Sequence, residues 1–480
     1  MVITNDPAAR IQDLEETLRQ RDETIAELTA TIDRQSEKLA ELEKVVEEWK
    51  RGHRIRGKRR RKRKASKGGP KKTPGRKAGH EGAFRQPPDR EPDRTEDHGK
   101  KHCNACSGAT LQPTGKTKDQ LVEELIPEHV EVVRHLMHEY ECSCCGTVQW
   151  STLPPELGKG APAGRPMLGT SVLERAGSLR NEFGLSMGQV ARYLSVHAGL
   201  KVSPSGVYQL LERSARRTQS VYDEIVSQAR ALPWIHMDET TWFQDGRKMW
   251  AWVIGSEELS LFHIDPRRSH DVIEKLLCEA DQRGELVSHY QGIVVSDFLA
   301  SYGTCEWMVH QYCWVHLLRE ADKVADVDGS AEAVKFRDKL VTLYHDALRA
   351  QCLQDRGAKH GIRVRLGKLA ADRLLAFCNP DVERLQNRID REFHSLLTFL
   401  DQPGLPAHNN LAEQIIRCIV LFRNRSFGTR SEAGSRTLAH WISVYQTARK
   451  QNVAIGPFIT QALAAYHLGL PPPNLFVPQN

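Results

Sequence analysis

Three acidic residues stand in settings that suit metal-binding carboxylates: Asp238, Asp297 and Glu413. Asp238 closes the apolar run Leu-Pro-Trp-Ile-His-Met-Asp-Glu-Thr (232–240), and Asp297 closes Gly-Ile-Val-Val-Ser-Asp (292–297). Glu413 falls in His-Asn-Asn-Leu-Ala-Glu-Gln-Ile-Ile-Arg (408–417), which reads as the opening turns of a helix. Two strand-end aspartates and a helical glutamate can hold two Mg²⁺ ions (or Mn²⁺) against a phosphodiester. One ion would activate the attacking oxygen and the other stabilise the leaving oxygen.

Each acid also has a plainer reading. A single Asp at a strand end commonly serves as a turn or cap residue. Alternation along a strand permits either Asp238 or Glu239 to face the cleft. Glu413 and Arg417 have the spacing of an i,i+4 surface pair.

The sequence around all three acids resembles that of transposases of the insertion sequence 66 family, a DDE-type group. The segment Asp238-Glu-Thr-Thr-Trp242 is similar to the family's first-aspartate motif, and Asp297 with Tyr302 five residues on is similar to its second. Cys313-Trp-Val-His316 with Arg319, Asn409-Asn-Leu-Ala-Glu413, and the stretch from Phe427-Gly428 through Ser443, Thr447 and Ala448 continue the likeness. Gln414 and the pair Phe298-Leu299 depart from the family pattern. The resemblance implies a ribonuclease-H-like mixed sheet flanked by helices. It also implies that Asp238, Asp297 and Glu413 are the catalytic, metal-binding acids, that double-stranded DNA is the substrate, and it points to element-encoded accessory proteins as partners.

These acids need a large scaffold. A chain of 480 residues is long enough for about three domains. No stretch approaches the roughly 18 consecutive apolar residues of a membrane span. A polar N-terminus unlike a signal peptide and eleven cysteines predict a cytoplasmic, nucleoid-associated protein with metal-bound or buried thiols.

The net charge of +7 hides a strong asymmetry. Residues 51–77 hold 15 Lys and Arg and no acid, including Lys58, Arg59, Arg60, Arg61, Lys62, Arg63 and Lys64 in one run, which leaves the remainder at −8. Such a run repels itself and lacks apolar residues, so it does not fold alone. It reads as a DNA contact that gains by releasing counterions from phosphates, or as a solvated linker. With the Pro-, Asp- and Arg-rich stretch that follows, it makes a linker over 51–98.

Before it, residues 9–50 predict a coiled coil. Ile11, Leu18, Ile25, Ile32, Leu39 and Val46 fill the a positions, and Leu14, Leu28, Leu42 and Trp49 fill four of six d positions. The two polar d residues, Arg21 and Gln35, weaken the seam and fix its register. A parallel homodimer is expected, which sets two basic segments side by side.

After the linker, residues 99–155 predict a zinc-binding ribbon. Cys103 and Cys106 form one Cys-x-x-Cys pair and Cys142 and Cys145 the other, 35 residues apart. Cys144 is the spare thiol, although it can exchange roles with Cys145. Val122–Tyr140 alternates in part like a strand. A structural Zn²⁺ would replace the core that so short a segment cannot build.

Residues 165–225 read as helical, with Ser186–Leu194 and Ser203–Arg213 as two helices and Ser205 as the cap of the second. This pair is either a helix-turn-helix or a bundle bracing the catalytic domain. The catalytic domain spans 230–456. Strands are expected near 232–243, 248–256, 259–264, 291–297 and 307–311, with helices over 269–280 and Cys313–Val324. The 115 residues between Asp297 and Glu413 predict an all-helical insertion at about 325–405. Residues 457–480 are expected to form a C-terminal tail. Arg417, Arg423 and Arg425 follow Glu413 and would bring positive charge to DNA phosphates. Cys313 and His316 read as packing or positioning groups, and Trp242, Trp250 and Trp252 as core, with stacking of one of them on an unpaired base near a transposon end as the alternative.

The class expected is therefore multidomain α+β: coiled coil, zinc ribbon, small helical domain and ribonuclease-H-like catalytic domain. Its activity would be metal-dependent cleavage at transposon ends and transfer of the 3′-hydroxyl into target DNA. The alternatives are a zinc-containing DNA-binding regulator with an inactive catalytic domain, a nuclease without strand transfer, and a coiled-coil scaffold.

Overall fold

The computed structural model describes residues 128–145, 147–158, 167–280, 286–372 and 379–476, with Arg19, Thr95 and Arg283 as isolated positions. Apart from Arg19 and Thr95, the coiled coil expected over 9–50 and the basic linker over 51–98, with Lys58, Arg59, Arg60, Arg61, Lys62, Arg63 and Lys64, lie outside the described residues. So do Cys103 and Cys106.

The described chain begins with an extended stretch and a small hairpin, β1 (Glu139–Glu141) and β2 (Val148–Trp150), paired antiparallel with Tyr140 opposite Gln149. Strand alternation expected from Val122 thus becomes a regular strand only at Glu139 among the described residues. A short 3₁₀ turn, Pro155–Leu157, follows.

Four helices come next: α1 (Thr170–Asn181), α2 (Met187–His197), α3 (Pro204–Arg217) and α4 (Gln219–Ala231). Ser186 and Gln189 form a reciprocal capping box at the start of α2. The cap of α3 is Ser203, which accepts from the Gly206 amide at 3.1 Å, and not Ser205 as the sequence suggested. The reason is Pro204: its fixed φ and missing N–H suit the first helical position, so the cap must precede it.

The central sheet starts with β3 (Trp234–Gln244), β4 (Arg247–Gly255) and β5 (Ser260–Asp265), an antiparallel meander. Helix α5 (His270–Leu277) then crosses over. The helix expected to reach residue 280 stops at Leu277, because Glu279–Ala280 (β6) pairs with Leu286–Ser288 (β7). Strand β8 (Ile293–Ser296) returns parallel to β3. After the single-turn helix α6 (Ala300–Gly303), β9 (Val309–Tyr312) lies parallel to β8. The five-stranded order is β5-β4-β3-β8-β9.

From Trp314 to Asp401 the described residues are helical: α7 (Trp314–Asp328), α8 (Ala331–Leu353), α9 (Arg356–Ala370), α10 (Pro380–Arg391) and α11 (Phe393–Asp401). The chain then rejoins the sheet through α12 (Asn410–Ser426) and α13 (Glu432–Lys450), and ends in α14 (Ile455–Leu468). The last helix corrects the expectation of a tail from 457. Phe458, Ile459, Ala462 and Leu463 recur at i, i+1, i+4 and i+5 and are all buried, a helical stripe that the flanking Gly and Pro residues obscured.

Packing follows from the alternation of β3. One face of the sheet contributes Trp242, Met249, Ala251, Val253 and Phe262, which meet Ile415, Ile416, Ile419 and Phe422 of α12 and Leu438, Ala439 and Ile442 of α13. Each such side chain contributes about 1.5–3 kcal/mol on burial. Gly255 lets α12 come close, since a Cβ there would lie 2.2 Å from the Ile415 Cδ1. The opposite face, with Ile235, Met237 and Trp252, joins the main core.

Both edges of the sheet are covered by hydrogen-bonding helices. Along β5, the Phe262 amide donates to Ser443 Oγ at 2.9 Å and the Ser260 amide to Thr447 Oγ1 at 3.1 Å, both from α13. Along β9, Thr398 Oγ1 of α11 donates to the His310 carbonyl at 2.6 Å, while Gln311 Oε1 accepts from the Phe399 amide at 2.7 Å. Helix α13 also holds the α1–α4 bundle. Trp441 Nε1 donates to the Leu211 carbonyl at 2.9 Å, Tyr445 to the Glu174 carbonyl at 3.1 Å, and His440 Nε2 lies 3.0 Å from Thr218 Oγ1. These contacts join residues of the 165–225 segment to the helix that lines β5.

Candidate active site

Strands β3 and β8 run parallel with His236 opposite Val295. Two residues further along come Asp238 and Asp297: Asp297 directly follows β8, as expected of a strand-end acid, whereas Asp238 lies within β3, opposite Val253, because β3 runs on to Gln244 against β4. Glu413 is in the first turn of α12, the helix that packs on the same face of the sheet as Trp242. All three acids are half-buried.

The two acids that alternation left open point to opposite faces. His236 and Trp242, in step with Asp238, meet Asn409 and α12. Glu239 points the other way and is satisfied there. Its Oε1 accepts from Arg268 Nε at 3.0 Å and Nη2 at 2.5 Å, and its Oε2 accepts from Tyr302 at 2.9 Å.

Asp238 has a different environment. Burial, followed by the charges of Glu239 and Asp297, raises its pKa to about 8; Glu413 adds to the rise and the Glu239 amide opposes it. Removal from water is the larger cause, and the neighbouring acids add to it. Asp297 accepts from the Leu299 amide at 2.9 Å. Glu413 is gripped by the Arg319 guanidinium, at 2.8 Å to Oε1 and 3.4 Å to Oε2, with His316 Nε2 at 3.6 Å. The three acids do not close into a single-ion cage. Among the described residues only His270, Asp271 and Glu274 bring all their ligand atoms within 4.8 Å of one another. Two ions about 3.5–4 Å apart are bracketed rather than caged, so wider spacing suits such a pair.

A buried polar linkage ties the three acid-bearing elements together. Asn409, fully buried, donates from Nδ2 to the Met237 carbonyl at 2.7 Å, and its Oδ1 lies 3.0 Å from His236 Nδ1. Its amide donates to Cys313 Sγ at 3.2 Å, and its carbonyl accepts from the Glu413 amide at 3.2 Å. The Cys313 amide in turn donates to the Ser296 carbonyl at 2.9 Å, directly before Asp297. Burial pushes the Cys313 thiol up to about 11 and His236 down to about 4, so both are neutral at ordinary pH. The sequence marked Cys313 as a packing or positioning group, but Asn409 only as the first residue of the segment Asn409-Asn-Leu-Ala-Glu413, with no role of its own. Arg268 and the grip of Arg319 on Glu413 were likewise missed, because ion pairs across 29 and 94 residues leave no local pattern.

Of the arginines expected to meet phosphates, Arg417 is exposed on α12. Arg423 is turned inward: its Nη1 bonds Thr240 Oγ1 at 3.0 Å, Thr241 Oγ1 at 2.6 Å and the Thr241 carbonyl. It is a tie to β3, because at its place on α12 the nearest acceptors are on that strand. Arg425 is exposed and donates to the Phe183 carbonyl at 2.7 Å. Cys142, Cys144 and Cys145 occupy the turn of the β1–β2 hairpin, with Cys145 Sγ 3.1 Å from Thr147 Oγ1.

With this geometry in hand, comparison with known proteins decides the family. Residues 166–437 match the model of the transposase IS66 family, more than half of the chain. The chain belongs to the IS66 family of transposases. The resemblance read from the motifs is thereby borne out, and the mixed α+β architecture with its mixed sheet is consistent with a DDE transposase core. An uncharacterized protein, y4jO, of Sinorhizobium fredii (strain NBRC 101917 / NGR234) is 24% identical over 195 residues. That match covers 39% of this chain and 59% of the relative, so the chain spans under two thirds of that relative's length. Among the described residues of this IS66-family chain, no helix is long and apolar enough to cross a membrane.

Proposed function

We propose that this chain is the transposase of an insertion sequence, with Asp238, Asp297 and Glu413 as its catalytic, metal-binding acids. The sheet order β5-β4-β3-β8-β9, three antiparallel strands followed by two parallel ones, is what a ribonuclease-H-like fold requires. The observation that carries the reading is that β3, β8 and α12 bring Asp238, Asp297 and Glu413 to one place, where burial first, and the neighbouring acids Glu239, Asp297 and Glu413 after it, raise Asp238 to about 8.

The donor set fits a hard divalent cation, since it is all carboxylate oxygen and its negative charges repel until one is bound. When bound, two Mg²⁺ ions (or Mn²⁺) would supply Lewis-acid stabilisation of the attacking and leaving oxygens. The chain's own residues hold the acids ready. Arg319 orients the Glu413 carboxylate, and Asn409 fixes α12 to β3 and to the start of α7. His236, kept neutral, adds no competing charge.

Water attacks a phosphodiester at the element's end, the P–O3′ bond breaks, and a 3′-hydroxyl is left. That hydroxyl then attacks a target phosphodiester in the same site: a new P–O3′ bond joins element to target as the target's own P–O3′ bond breaks, and the departing 3′-oxygen takes up the proton that the attacking hydroxyl gives up. The exposed Arg417 and Arg425 and the basic run Lys58–Lys64 would contact DNA phosphates. Cys103, Cys106, Cys142 and Cys145 would hold a structural Zn²⁺, which suits the placement of the second pair in a hairpin turn. Residues 9–50 would form the dimer, the protein would act in the cytoplasm on the nucleoid, and element-encoded accessory proteins would complete the assembly.

The test is a strand-transfer assay with end-sequence DNA, target DNA and Mg²⁺. Joined products with the native chain, and none with Asp238→Asn, Asp297→Asn or Glu413→Gln at undiminished DNA binding, are expected. Nicks without joined products would reduce the protein to a nuclease, and full activity in any of the three variants would overturn the acid assignment.

A further inference from the structure

We propose that Phe427 is a DNA-stacking residue, an aromatic ring presented rigidly to the face of an unpaired base. This rests on the transposase reading. Phe427 follows α12 with φ of 57°, in the left-handed region that favours glycine, and is 81% exposed. Left-handed backbone at a bulky residue is unfavourable, and an exposed Phe contributes little to folding. A glycine at this position would avoid both costs.

The segment is nevertheless firmly pinned. The Phe427 amide donates to the Arg423 carbonyl at 2.8 Å. Gly428 lies so close to β3 that a Cβ there would come 2.1 Å from the Phe243 carbonyl oxygen. The Thr429 amide donates to that same carbonyl at 2.9 Å, and the Thr429 carbonyl accepts from the Asp245 amide at 2.8 Å. Trp242 Nε1 donates to Thr429 Oγ1 at 3.1 Å, and a hydroxyl chain runs on through Ser435 to Gln244. The ring is therefore held outward on a braced platform.

Its surroundings suit a polyanion with flat, apolar faces. Arg247, Lys248, Arg425 and Arg430 are exposed on the segments that form this tip. Of its acids, Glu432 is already paired with Arg436, leaving Asp245. Phe243 is 39% exposed, and Phe183, whose carbonyl Arg425 holds, is 63% exposed. Aromatic rings among cations take stacked bases between bound phosphates. Phe243 is five residues beyond Asp238, about 16 Å along an extended strand. A nucleic acid strand rises about 3.4 Å per nucleotide, so one held at the acids would reach this tip within about five nucleotides.

The test uses the full chain and two short duplexes, one fully paired and one with a central unpaired 2-aminopurine. Anisotropy reports affinity, and 2-aminopurine fluorescence reports stacking. The native chain should favour the unpaired probe and quench it. Phe427→Ala should weaken that binding roughly tenfold and abolish the quench, as loss of one base–aromatic stack implies, and Phe427→Trp should retain both. Phe427→Gly separates the roles: binding falls as for Ala, while the melting temperature stays or rises as the left-handed strain is relieved.

Quenching and affinity unchanged in Phe427→Ala and Phe427→Gly would overturn the proposal while leaving the transposase reading intact. A native chain that binds neither duplex would overturn both. Loss of self-association in Phe427→Ala with DNA binding unchanged would assign the ring to a contact between copies and likewise overturn it.

Discussion

The two faces of strand β3 give neighbouring acids different partners. Burial and the charge of Asp297 raise the pKa of Glu239, but Arg268 and Tyr302, both from within the chain, oppose the rise. Asp238, one residue before, is raised by burial and by the charges of Glu239, Asp297 and Glu413. Arg268 holds Glu239 on one face of β3, and Arg319 holds Glu413 in the first turn of α12, so an internal counter-cation does not by itself mark an acid as scaffold. An acid set among other acids raises the free energy of the empty fold and lowers it only when a cation arrives. In the proposed reading, what separates Glu239 from Asp238 is the side of β3 that each occupies.

The strongest way to break this contrast is to neutralise Asp238. Asp238→Asn should cut strand transfer by about 1,000-fold or more, a barrier rise of about 4 kcal/mol, while raising the thermal midpoint at neutral pH, because folding no longer has to protonate an acid whose pKa is raised to about 8. A lower midpoint with activity intact would reverse the roles of the two acids. Glu239→Gln should do the opposite. It removes a buried ion-pair partner at a cost of about 2–3 kcal/mol, below the usual range because Arg268 reaches water. Denaturant titration gives the cost, and activity per folded molecule should change less than tenfold.

Asn409→Ala sharpens the comparison by loosening the Asp238 face alone. Activity should fall about 10- to 100-fold, as expected for a group that positions metal ligands, with Mg²⁺ requirement rising. An unchanged Mg²⁺ titration would show that Asn409 only supports the fold. A smaller effect concerns the helical bundle behind that face. Burial lowers His440 to about 3, so the neutral ring is the native form. Its contribution to stability is complete above the unfolded value near 6.5 and is lost as pH falls towards about 3. The slope should be roughly 1.4 kcal/mol per pH unit; a denaturant midpoint independent of pH between 6.5 and 5 would contradict it. Least of all, Ser203→Ala should cost about 1 kcal/mol by uncapping α3, whereas Ser205→Ala should cost almost nothing.

Much of this arrangement was legible in the sequence because it is written locally. Apolar runs leading to Asp238 and Asp297 marked β3 and β8, and the segment 408–417 marked the opening turns of α12. What stayed hidden depends on partners far apart in the chain. Nothing near Glu239 announces Arg268, and nothing near Arg423 announces Thr240 and Thr241. Arg423 illustrates the limit: its charge suggested phosphate, but its direction was fixed by which strand lies beneath its helix. Alternation of β3 left Asp238 and Glu239 equivalent until α12 was seen to cover one face.

The hydroxyls of Ser443, Thr447 and Thr398 have a consequence beyond support. They occupy main-chain groups that a rim strand would otherwise offer to any passing segment. A neighbour's extended chain finds little to ladder onto at either border, so crowding of many copies on one DNA molecule is not an invitation to cross-β growth.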